Sequence, residues 1–102
     1  MGKLTGIPVE DVELIRADEL AVVEVVRVAG IAPVVRFSVE ERVESWTADR
    51  ALMAAAALVA ASEREVEADP EGAEWFMESV LCVVEAIITA ARLVRDEIEA
   101  AA

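Results

Sequence analysis

Between Asp69 and Ala100 the apolar side chains recur every seven residues, and this pattern constrains the chain more than any other. Ala73, Val80, Ile87 and Val94 occupy one position of the repeat. Met77, Val84, Ala91 and Ile98 occupy a second, four residues on. Two apolar positions per heptad give a helix one continuous seam to bury. Glu71, Glu74, Glu78, Glu85, Arg92 and Asp96 fall on the opposite, solvated side. The spacing predicts a helix over 70–100. Asp69 is its expected N-cap and Pro70 its first residue, where the missing N–H costs nothing.

A second helix is expected over 38–68. Ser38-Val39-Glu40-Glu41 reads as a capping box, in which the Ser38 hydroxyl and the Glu41 carboxylate satisfy each other's amides. Thr47 offers a second cap within that span. The short link at 69–72 makes these two helices an antiparallel hairpin. From Ala51 to Ala61 this helix has no polar face, and a helix apolar all round must be enclosed.

Residues 1–7 read as a flexible tail, and 8–102 as a single helical domain. Val12, Ile15, Val22, Val23 and Val26 share one side of a helical projection, so a first helix is expected over 8–29, stopped by Gly30. A strand over 21–28 is the competing assignment, because the segment is rich in β-branched residues. Pro33 and the alternation of Val35, Phe37 and Val39 suggest a short extended piece in the connection. The expected fold is therefore all-α. Three helices, including a long antiparallel hairpin, would form a four-helix-type bundle on oligomerisation.

Composition supports association. The 102 residues are 57% hydrophobic, with a mean hydropathy of +0.47. A chain this short cannot bury so much apolar surface by itself. A homo-oligomer, a dimer or larger, is the simplest way to cover it. Leu52, Ala55, Leu58 and Val59 of the second helix, with Val80, Val84 and Ile87 of the third, are the expected interface.

Charge and residue types exclude much else. Nine basic against 21 acidic residues give a net charge of −12, so no nucleic-acid partner and no anionic membrane partner is expected. The longest stretch without a charge, 51–62, is too short to span a bilayer. Lys3 is followed by no apolar leader segment, so a cytoplasmic location is expected. His, Tyr, Asn and Gln are absent, and Lys occurs once. Such a restricted alphabet fits either a thermostable natural protein or a de novo designed one. Without His there is no nucleophile–His pair and no imidazole metal ligand. The lone Cys82 is expected to be a buried, inert thiol. Glu19 falls within the apolar face of the expected first helix, where a buried carboxylate could serve as a general acid or base; the favoured expectation is that it lies at the edge of that stripe and reaches water. No cofactor is expected, and no catalytic residue stands out.

Carboxylates are the one catalytic type in quantity. Glu41-x-x-Glu44 and Glu71-x-x-Glu74 each place two on one helix face, a spacing suited to holding Mg²⁺ through oxygen. This pattern resembles the MazG-type nucleotide pyrophosphohydrolases, which carry Glu-x-x-Glu on one helix and Glu-x-x-Asp on another. Glu74 stands where that pattern has Asp. The resemblance implies an all-α, Mg²⁺-dependent enzyme with Glu41, Glu44, Glu71 and Glu74 as ligands. In the expected hairpin the two pairs lie ~40 Å apart at ~1.5 Å per residue, so only a second copy would bring them together. A third possibility is a ligand pocket lined by Trp46 or Trp75. The favoured expectation is a self-associating scaffold or protein-interaction module.

Overall fold

A computed structural model describes residues 10–102, with the side chains of all of these except 73–75. The valine-rich first half is a sheet. β1 (Glu10–Ala17), β2 (Val22–Val28), β3 (Ile31–Val39) and β4 (Arg42–Trp46) form an antiparallel meander in the order β1-β2-β3-β4. Two helices follow, α1 (Ala48–Ala68) and α2 (Ala73–Ala101). The fold is thus α+β, which overturns the all-α expectation. Neither a three-helix chain, nor a helical bundle, nor a coiled coil describes it. The expected first helix is β1 and β2. The capping box at Ser38 is instead the end of β3 and its turn. The expected tail at 1–7 lies outside the described residues.

The reason lies in cross-strand pairing. Val25 sits opposite Val35, and Val23 opposite Phe37. Stiff β-branched side chains lose little by extending, and they gain neighbours on a pleated surface. Gly30 does not stop a helix. It takes φ 84° in the β2–β3 turn, a conformation that glycine enters without steric cost. Glu40 holds φ 55° in the β3–β4 turn, at a cost of about 1 kcal/mol. Pro33 lies where the β2–β3 register shifts and where β4 does not reach, so its missing N–H breaks no regular ladder.

The third expected helix and the later two-thirds of the second lie close to where the periodicity placed them, but the first ten residues of the expected second helix hold the end of β3, a turn and β4. α1 starts at Thr47, whose hydroxyl accepts a hydrogen bond from the Arg50 amide at 3.2 Å. It is this second cap, and not Ser38, that begins the helix. Asp69 ends α1 as its C-cap, its N–H donating to the Glu65 carbonyl. α2 begins three residues after Pro70, with Gly72 at its N-cap.

α2 lies across β1, β2 and β3, and α1 lies beside it over β3 and β4. The core forms where they meet: Val23, Val25 and Val35 from the sheet, Ile87, Ala90, Ala91 and Val94 from α2, Ala51 and Ala55 from α1. Val84, Ile87, Ala91 and Val94 of the α2 seam are buried, against the sheet and α1 of the same chain, whereas Met77 and Val80 are half-buried and Ile98 is exposed. Small alanines at these contacts let the backbones approach closely.

The molecule is a thin slab, 61 × 29 × 15 Å. α2 meets the β1–β2 turn at Cys82 and the opposite end of the sheet at Glu97.

Candidate interaction surface

The sheet has two faces, and the helices cover one. Register assigns the other. Glu10, Val12 and Leu14 of β1 pair with Val28, Val26 and Glu24 of β2. Val26, Glu24 and Val22 pair in turn with Val34, Arg36 and Ser38 of β3. Ser45 and Val43 of β4 pair with Arg36 and Ser38. Paired residues share a face, so this set lies on the side away from the helices. An antiparallel sheet that faces water alternates apolar-in with polar-out. Here the outward set is itself largely aliphatic. Val12 is 38% exposed, Leu14 59%, Val43 60%, and Ile31 at the β2–β3 turn 65%.

One ion cluster crosses the middle of this face. The Arg36 guanidinium donates to Glu24 and to Glu10, both at 2.9 Å. These bonds raise its pKa above the ordinary arginine value, the Glu24 bond contributing most. To reach Glu10 on β1 from β3, Arg36 must pass over β2. Val26 lies beneath that path and is buried, although no helix touches its face.

On the covered face a second cluster ties the sheet to α2. Arg27 donates to both Glu97 carboxylate oxygens at 2.6 Å and to Glu13 at 2.8 Å. The Arg27 hydrogen bonds hold the Glu97 carboxyl below its ordinary value of 4.5. A carboxyl depressed on folding stabilises the fold above its unfolded pKa, and that contribution vanishes as pH falls through the folded value. Glu97→Gln should therefore melt below the parent chain at pH 7, by the equivalent of about 0.5–1 kcal/mol for a partly solvated pair. The difference should shrink once the pH drops under 4.5. Paired melts from pH 3 to 7 check this, and a gap independent of pH would rule it out.

An open groove of about 410 Å³ lies between the β1–β2 turn and α2, lined by Arg16, Asp18, Leu20, Ser79 and Cys82 among others. Asp18 builds the turn, accepting from the amides of Leu20 at 2.8 Å and Ala21 at 3.1 Å and from Arg16 at 2.8 Å. The Arg16 bond, then the two amides, lower the Asp18 pKa. This carboxylate is committed to the turn and is not a free base. Cys82 lies half-buried at the groove and not in the core. Glu19 is exposed in the turn.

The other residues singled out from the sequence divide as follows. Ala55, Val84 and Ile87 are buried within the single chain, and Leu52, Leu58, Val59 and Val80 pack against the same core, partly buried. Glu41 lies in the β3–β4 turn and Glu44 on β4, whereas Glu71 lies beyond the far end of α1. The 21 residues of α1 separate the two pairs by ~30 Å. The Glu74 and Trp75 side chains lie outside the described residues. No group of three metal-ligating side chains gathers among the described residues. The all-α fold implied by the pyrophosphohydrolase resemblance is absent. Trp46 is a core residue stacked on Phe37, with ring centroids 5.0 Å apart. Among the described residues no helix is long and apolar enough to cross a membrane.

No family model, curated protein or solved structure matches the chain.

Proposed function

We propose that this protein is a self-associating interaction module, whose role is to present and pair surfaces and not to transform a substrate. Shape carries the reading. The Cα radius of gyration is 16.3 Å, against about 13 Å for a compact domain of ~100 residues. A chain spread this far covers less of its own apolar surface, and large apolar side chains remain exposed on both layers. Leu14 and Val43 are examples on the sheet, Met53 and Leu81 on the helices. The alanine-rich middle of α1 is only half covered: Ala51 and Ala55 are buried, whereas Ala56, Ala57, Ala60 and Ala61 are exposed.

Light scattering across a concentration series tests the reading. The expected molar mass is at least twice the 10.9 kDa of one chain at micromolar concentration. Two copies at −12 each repel, so added salt should strengthen the association until the charges are screened. A mass of one chain at every concentration and salt would falsify the proposal.

A further inference from the structure

We propose that two copies meet through the uncovered faces of their sheets, giving a four-layer helix–sheet–sheet–helix dimer. The inference rests on the self-association reading and adds the surface and its occupant.

Charge placement favours a second copy seated on this face over one seated on the helices. Residues 48–102 carry twelve acidic side chains against four arginines, a net −8 of the chain's −12. Pairing through the helices would bring two such layers into contact. Face-to-face sheets pack ~10 Å apart and leave the helical layers on the outside, roughly 30 Å from each other. That distance exceeds the Debye length of ~10 Å at 0.1 M salt, so the repulsion is largely screened.

The uncovered face itself carries little charge. Arg36 is paired with Glu24 and Glu10 inside its own chain, at 2.9 Å each. An approaching partner therefore meets an ion cluster already satisfied, surrounded by aliphatic side chains.

Its area is also sufficient. Four strands ~4.8 Å apart, each about seven residues long, make a surface of roughly 19 × 23 Å. With side-chain relief, two such faces remove roughly 1,000–1,400 Å² from water, above the ~1,000 Å² that a specific interface needs.

Pairing edge to edge is obstructed. β1 carries Glu10, Asp11 and Glu13 and an irregularity between Leu14 and Arg16, and β4 has only five residues. Acids, bulges and short strands are what keep sheet edges from pairing.

The test compares Leu14→Glu and Val43→Glu on the face with Met53→Glu on α1. All three sites are more than half exposed in the single chain, so a glutamate there leaves the subunit folded, as circular dichroism would verify. The face variants should weaken the dimer at least 100-fold and scatter as single chains at micromolar concentration, while Met53→Glu keeps the parent mass. Leu14→Ser and Val43→Ser carry the same comparison should either glutamate unfold the chain. Face variants that keep the parent mass overturn the inference, as does a Met53→Glu chain that dissociates as readily. In both cases self-association itself stands. A monomeric parent removes both proposals.

Discussion

A carboxylate at Val35 abolishes the folded state: the Val35→Asp chain is expected to show no cooperative thermal transition at pH 7. Val35 is fully buried on an interior strand, opposite Val25 on one side and Trp46 on the other. Its side chain points into the core beneath the helices. An ionised group there has neither water nor a cationic partner, and the effective penalty is several kcal/mol. A small single domain has only about 5–15 kcal/mol of stability to lose. Val35→Thr keeps the shape and adds only a hydroxyl, so it should fold with a lowered melting temperature. Circular dichroism during a melt distinguishes the two, and a Val35→Asp chain with a near-parental transition would show that this position is not core.

Trp46→Ala should lower stability by about 3–5 kcal/mol, the range for deleting a large buried aromatic. Trp46 closes β4, and its ring lies 5.0 Å from that of Phe37 at an interplanar angle of 18°. Stacking contributes about 0.5–1.5 kcal/mol of the loss, and the remainder is burial and the cavity left behind. Trp46→Phe keeps an aromatic on Phe37 and should lose well under half as much. Urea unfolding followed by circular dichroism reports all three chains, and equal midpoints for Trp46→Ala and the parent would contradict the packing.

These two sites also mark where sequence reasoning succeeds and where it fails. Trp46 lies in β4, where the sequence reading placed a helix, whereas the alternation of Val35, Phe37 and Val39 already pointed to an extended piece, which is part of β3. Val12 and Ile15 look like neighbours on a helix, three residues apart. In the sheet they part: Ile15 packs toward the core, while Val12 lies on the uncovered face. The alternation that should have signalled strands is blurred because both faces of β2 are apolar. Val23 and Val25 point to the helices, Val22 and Val26 away. The uncovered face was therefore invisible as a surface. Residues expected at an interface, such as Ala55 and Ile87, are apolar for a reason internal to the chain.

The sequence by itself determined what depends on near neighbours. The helical run from the Ala-rich segment onward, the break at 69–72, the capping power of Thr47 and the apolar seam of α2 all follow from residues within a few turns of one another. Tertiary structure alone decided what depends on distant ones. A strand is stabilised by partners across the sheet, Val25 by Val35 and Arg27 by Glu97, and no local window contains both members of such a pair. For the same reason only the assembled layers reveal that the α2 seam rests on a sheet, and that the helices leave the sheet's other side uncovered among the described residues.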